Sequence, residues 1–286
     1  MYIGPPQLPT MLAGGPFKPA VWLEWGCSIV ERLRANIAAS PVLLICYSLS
    51  MPARAQLALV TGASRGLGLA IAVALSERGF HLILAARSQR PLERLAARLP
   101  NSTAIACDIR DPQSVAQLAA LVAGLAGKPK RLDVLINNAG IAGPAQPIES
   151  LDYAAWREVI DTNLHGTFLV TQSVLPYLGK GSVIVNNLSV AARTAFPGMA
   201  AYNTSKRGLL AFTETLREEL RPRAIRVVAL LAGATDTEIW KQFWPGAPRR
   251  RMMSPQTIAQ IVAIAVTQPA NANIDELVIT PSAGAL

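Results

Sequence analysis

Cysteine is scarce in this 286-residue chain: only Cys27, Cys46 and Cys107 occur. Three scattered thiols do not build a disulfide framework or a four-thiolate metal site, and their shortage fits a reducing cytoplasm. Histidine is scarcer still. His81 and His165 have no third ligand nearby in sequence, so no metal site is expected. Charged residues make up only 16% of the chain against 51% hydrophobic, a balance that excludes disorder. Long apolar runs are also missing. The segment 41–49 (PVLLICYSL) falls well short of the roughly 20 residues of a membrane span, so no integral membrane segment is expected. Acids are the minority sign, 18 against 27 Lys and Arg, for a net charge of +9. Taken alone, that excess suits nucleic acid, an anionic membrane, an acidic carrier protein or a phosphorylated cofactor.

The first fifty residues differ from the rest. They hold six prolines, Trp22 and Trp25, two of the three cysteines and only five charges. Three readings are open: a loosely structured extension, an apolar arm touching a membrane, or translated sequence upstream of the true start. The third is favoured, because a strand-like run begins within a few residues of Met51; native protein is then expected to start at Met51 or Pro52. Residues 51–286 carry 24 basic and 16 acidic side chains, so the positive excess belongs to this part and not to a basic arm.

From Met51 onward, short apolar runs alternate with helix-period stretches. Strands are expected at 57–61, 81–86, 103–107, 132–137, 182–188, 225–231 and 276–280. Helices are expected near 67–78, 91–99, 112–125, 153–178, 198–221 and 255–267. Near-continuous apolar strands between helices argue for a parallel sheet covered on both faces. The expected fold class is α/β, a Rossmann-type doubly wound sheet of about seven strands in one domain, with ligands at the carboxyl ends of the strands.

Directly after the first strand comes Thr61-Gly62-Ala63-Ser64-Arg65-Gly66-Leu67-Gly68. Glycines between a strand and a helix permit a tight turn and let backbone approach a pyrophosphate at the helix N-terminus. Four further motifs follow in order: Asn137-Asn138-Ala139-Gly140 at the end of the fourth strand, Asn163 in Thr-Asn-Leu-His-Gly, Ser189 after the fifth strand, and Tyr202-x-x-x-Lys206 thirteen residues on. Together the five resemble the short-chain dehydrogenase/reductase family, in register from about residue 57 to 281.

Tyr202 and Lys206, four apart on a helix, project from one face, and an adjacent ammonium lowers the pKa of a phenol. The resemblance implies that Tyr202 exchanges a proton with the carbonyl or alcohol oxygen while hydride moves to or from a nicotinamide. It further implies that Lys206 tunes Tyr202 and holds the nicotinamide ribose, that Ser189 bonds the substrate oxygen, and that Asn163 supports Lys206 through a water. A serine after a strand is also an ordinary cap. Cofactor contacts are implied at Gly62, Ser64, Arg65, Gly66, Leu67, Gly68, Asn138, Ala139 and Gly140, and at Asp108, where the family meets the adenine amino group; Asp108 also reads as a helix N-terminal acid before Pro112, and the two roles are compatible. After the sixth strand the family usually has Pro-Gly. Here Ala232-Gly233 stands, freeing a φ angle and loosening the loop, with contacts carried over at Gly233, Thr235 and Thr237, the last to the nicotinamide amide.

Charge selects the cofactor. A free ribose 2′-hydroxyl favours a carboxylate at the end of the second strand, whereas a 2′-phosphate needs cations. The chain has Ala86-Arg87-Ser88 there and no acid, and Arg65 precedes the second glycine, so NADP(H) is expected, clamped by Arg65 and Arg87.

The expected activity is reduction of a ketone or aldehyde, or the reverse, on a small and apolar substrate. Trp240, Phe243 and Trp244 either face that substrate from a short lid or pack on the core or a neighbouring subunit. The Arg249–Arg251 triplet reads as a solvated loop in preference to a dock for an acidic acyl carrier. The tail Ile274-Asp275-Glu276-Leu277-Val278-Ile279-Thr280-Pro281 looks more like that of carbonyl- and hydroxy-acid-reducing members, which makes a 3-oxoacyl-carrier-protein reductase the alternative. A non-catalytic NADP(H)-binding redox sensor is the alternative of another class. Family likeness implies a homodimer or homotetramer; nothing calls for nucleic acid.

Overall fold

The strands β1 (Leu57–Thr61), β2 (His81–Ala86), β3 (Ser102–Ala106), β4 (Leu132–Asn137), β5 (Leu178–Asn187), β6 (Arg226–Ala232) and β7 (Glu276–Ile279) pair in the order β3-β2-β1-β4-β5-β6-β7, all in parallel. The computed structural model describes residues 55–127 and 131–284, within the compact unit Ala55–Leu286. The segment 1–50, with Cys27, Cys46, Trp22 and Trp25, lies outside the described residues. Seven strands and their parallel sense agree with the sequence pattern, and the edge strands β3 and β7 are the least buried.

Alternation along each strand divides the core in two. Ala58, Val60, Leu82 and Leu84 point to one face, where they meet Ile71 and Leu75 of α1 (Gly66–Ser76) and Ile258 and Val262 of α7 (Pro255–Val266). Leu59, Ile83 and Leu135 point to the other, against Leu118 and Val122 of α3 (Pro112–Leu125), Val170 and Val174 of α5 (Gly166–Val174) and Leu216 of α6 (Ala200–Leu220). The remaining helices are α2 (Gln89–Ala96) and α4 (Tyr153–Ile160). Because both faces are covered, β1 and β4 are buried along their whole length, which is why they read as unbroken apolar runs.

One expected element differs in kind. The helical stretch 153–178 is not continuous: α4 opens into a π-helical turn at Asp161–His165, α5 resumes, and a 3-10 turn at Leu175–Tyr177 leads into β5. The wide turn carries Asn163 inward, and the Thr167 hydroxyl donates to the Asn163 carbonyl at 2.9 Å. Gly166 lets the helix pass the β3–α3 connection, since a Cβ there would lie 2.7 Å from Ile109. Wide turns of this kind gather at functional sites. Leu178 is therefore strand, four residues ahead of the expected start of β5. The register shifts between Leu132 and Val134, and Gly181 sits at φ +84°.

The chain runs β1, β2, β3 in one direction and returns to place β4 on the other side of β1. That reversal opens a crevice at the carboxyl ends of β1 and β4.

Candidate active site

A cleft of about 1070 Å³ occupies this crevice. Thr61, the last residue of β1, ties its floor together. Its hydroxyl donates to Ile136 O and accepts from Asn138 N at 2.9 Å and Ala139 N at 3.1 Å. Asn138 answers with its side-chain amide on Thr61 O, and its own oxygen accepts from Asn187 Nδ2 at 3.0 Å. The glycine loop and the ends of β4 and β5 are thus one hydrogen-bonded block. Gly68 is required by contact, because a Cβ there would fall 2.4 Å from Gly62 O; Gly66 is required by conformation, at φ +56°.

Helices α3, α4 and α7 are capped by the side chains of Asp111, Asp152 and Ser254. Helix α1 has no side-chain cap, so its first N–H groups face the cleft. Beside it, Arg65 and Arg87 line the cleft as exposed guanidiniums with no carboxylate bonded to either among the described residues. The loop thus suits a dinucleotide: an uncapped helix start, a glycine turn and two cations beside it. Asp108 is engaged differently. Arg110 grips its carboxylate with a fork, Nη2 to Oδ2 at 2.6 Å and Nε to Oδ1 at 3.0 Å, and holds it below the usual carboxylate range, with Arg87 adding to the effect. The acid that caps α3 is Asp111, which corrects that part of the expectation for Asp108.

At the other end, Tyr202 and Ser189 share the wall. Ser189 also accepts from Ala191 N at 3.1 Å, so it is both a cap and a cleft residue. Burial pushes the Tyr202 phenol above its ordinary value, the reverse of the lowering expected from Lys206, and its interaction with the Ser189 hydroxyl opposes the rise. Lys206 and Asn163 lie one layer behind the wall, 5% and 1% exposed. The Lys206 ammonium donates to Asn187 O at 2.8 Å, sits 5.6 Å from the centre of the Tyr202 ring, and is lowered by burial to about 8. The Asn163 amide bonds to the loop after β4 and to Ser205. It accepts from Ile141 N, donates to Ile141 O, both at 2.8 Å, and donates to Ser205 Oγ at 3.0 Å. Its side chain thereby positions the loop after β4 and the helix turn carrying Lys206.

Residues 56–247 of the sequence match the short chain dehydrogenase family model. The chain belongs to that family. Among its curated relatives, sulfoacetaldehyde reductase 2 of Chromohalobacter salexigens is 32% identical over 79% of this chain and 94% of its own. A 3-oxoacyl-[acyl-carrier-protein] reductase of Synechocystis is 34% identical over 77% and 92%. Among solved structures, an alcohol dehydrogenase of Thermococcus sibiricus complexed with 5-hydroxy-NADP superposes at TM-score 0.74, with 28% identity, over 81% of this chain and 98% of that one. A short-chain dehydrogenase of Burkholderia cenocepacia in complex with NADP gives 0.72 at 30% identity, over 80% and 97%.

Within this short-chain dehydrogenase, the loop after β6 is firmer than the missing proline suggested. Gly233 N donates to Ile279 O at 2.8 Å, Met253 N to Ala234 O at 3.0 Å, and Asp236 N to Met253 O at 2.9 Å. Arg249 pairs with Asp236 and donates to Thr237 O at 2.7 Å, so the arginine triplet is not simply a solvated loop. Gly233, Thr235 and Thr237 all reach the cleft, although the Thr235 hydroxyl is spent on Gly233 O. Trp240, Phe243 and Trp244 line the cleft, with ring centres 4.9 and 6.0 Å from Trp240, and Trp240 Nε1 donates to Thr235 O. Phe196, Met199 and Ile141 face the same space.

Three site residues escaped the sequence reading, Arg110, Asn187 and Gln242, and Thr61 was read only as the start of the glycine motif. Thr61 and Asn187 had a signal, being polar residues at the carboxyl ends of apolar strands. Arg110 and Gln242 had none, because their roles depend on partners brought in by the fold.

Proposed function

We propose that this chain is an NADP(H)-dependent oxidoreductase that reduces an apolar ketone or aldehyde to the alcohol, or runs the reverse. The observation that carries the reading is Tyr202 and Ser189 on one cleft wall, with Lys206 buried behind them. NADPH, when bound, supplies the hydride. Arg65 and Arg87 would hold its 2′-phosphate and the 62–68 loop its pyrophosphate; NADP in the Thermococcus and Burkholderia structures supports this choice.

Reduction needs one proton at the carbonyl oxygen, and Tyr202 donates it. The half-buried phenol, raised above its ordinary value, stays protonated at neutral pH, ready for that donation. Ser189 donates a hydrogen bond to the same oxygen, where negative charge develops. Lys206 is anchored on Asn187 O behind the Tyr202 ring. Its positive charge, 5.6 Å from the Tyr202 ring centre, would favour the phenolate left after transfer, and it would hold the nicotinamide ribose. In oxidation the phenolate takes the alcohol proton.

The aromatic wall of Trp240, Phe243 and Trp244 supports an apolar substrate, since all three arginines of the cleft stand at the dinucleotide end. The Synechocystis relative favours a second reading, reduction of a 3-oxoacyl thioester. We also assign assembly as a homodimer or homotetramer to the face of α5 and α6, where Phe168 is 43% exposed and meets Phe212 edge-on. No helix among the described residues is long and apolar enough to cross a membrane.

Turnover of NADPH, followed by absorbance against neutral aryl ketones, aldehydes, diketones and 3-oxoacyl thioesters, tests the reading. The neutral ketones or aldehydes should turn over fastest. Preference for the thioester would replace this reading with the second. Tight NADPH binding without turnover of any class would leave a non-catalytic cofactor-binding protein.

A further inference from the structure

Gln242 ends the 3-10 turn Glu238–Gln242, which carries Trp240 and leads into Phe243. Its side-chain oxygen accepts from two successive backbone groups across the cleft, Ala142 N at 2.9 Å and Gly143 N at 3.3 Å. These residues follow Ile141, whose N–H and C=O are both held from the opposite side by Asn163. The loop after β4 is therefore gripped by one amide from behind and one from in front. Among the described residues, the one other side-chain hydrogen bond that leaves the segment 238–247 is Trp240 Nε1 to Thr235 O. The aromatic segment thus hangs on two side chains, and only Gln242 spans to the far wall.

We propose that Gln242 is a positioning residue that latches the aromatic segment to the loop after β4, setting the width of the substrate end independently of the dinucleotide end. The bond pattern makes the idea chemically specific. Both N–H groups converge on one acceptor oxygen, so the amide nitrogen of Gln242 is dispensable for the latch. A glutamate accepts the same two bonds; a leucine fills similar volume and accepts none.

Hydrogen exchange of the intact protein, read by mass spectrometry on peptides covering 140–146, tests this directly. Gln242→Leu should speed exchange of these amides by about fivefold, the expected effect of losing a neutral hydrogen bond. Gln242→Glu should exchange like the unsubstituted protein. Unchanged exchange in the leucine variant, or equal acceleration in both, overturns the latch. A kinetic arm rests on the proposed reductase reading: Gln242→Leu should raise KM for a neutral aryl ketone by about fivefold, with kcat and the NADPH Kd within about twofold, and Gln242→Glu should restore KM. A fall in kcat at constant KM, or loss of NADPH affinity, refutes independence of the two ends. If no ketone is turned over at all, the reductase reading fails while the exchange result still decides the latch.

Discussion

The two ends of the cleft are made of different materials. Around the glycine loop, strand termini supply nearly everything: Thr61 on β1, Asn138 after β4 and Asn187 on β5 bond one another through backbone and short side chains. Around Trp240, two 3-10 turns and two loops are held by long side chains reaching across, namely Gln242, Arg249 and Trp240 itself. Strand ends of a buried sheet cannot shift without disturbing both cores, whereas a segment hung on a few exposed or half-buried side chains can be replaced at little cost to the fold. A short-chain dehydrogenase built this way keeps its cofactor chemistry constant and its substrate end adjustable.

The largest expected effect lies where the two ends meet. Tyr202→Phe removes the proton donor and should lower kcat by about 10³-fold with the NADPH Kd nearly unchanged; loss of NADPH binding in a titration would mean that Tyr202 belongs to the dinucleotide end. The double variant Arg65→Ala, Arg87→Ala should raise the KM for NADPH by roughly 10- to 100-fold and leave that for NADH almost untouched. Equal effects on the two cofactors would remove the 2′-phosphate clamp and blur the contrast in charge between the ends.

Lys206 tests how far the rigid end trades stability for function. Its folded pKa of about 8 lies below the ordinary 10.5, so the unfolded chain binds more protons between those values and stability should rise with pH across that window. Lys206→Met should abolish that rise. At pH 7 it should gain about 1–2 kcal/mol, after the donor lost by Asn187 O is set against the removed buried charge, and it should lose activity. Thermal melts from pH 7 to 10 read both signs. The smallest effect belongs to the adjustable end: Arg249→Ala should weaken NADPH binding about fivefold by releasing Thr237, while Arg250→Ala, exposed and bonded to nothing described, should change nothing. Equal losses in a fluorescence titration would return the triplet to a general charge effect.

Legibility in the sequence follows the same division. The seven strands, the glycine loop, Ser189, Tyr202 and the aromatic trio were all visible, because local pattern and spacing carry them. Asp108 was visible but its partner Arg110 was not, and Asn163 was visible while the direction of its amide was not. The π-helical turn was missed outright. Its residues have ordinary helix period, and only the close approach of Ile109 to Gly166 and the pull of Ile141 on Asn163 make the wider turn preferable.

By itself the sequence determined the sheet, its parallel sense, the cleft at the strand ends and the residue types available there, since burial on two faces and glycine spacing are written along the chain. The tertiary structure alone decided which polar groups found each other: Arg110 on Asp108, Asn163 on Ile141, Arg249 on Thr237 and Gln242 on Ala142. Hydrogen bonds act over about 3 Å, and positions 22 or 100 residues apart in sequence come within that reach only after the sheet has formed.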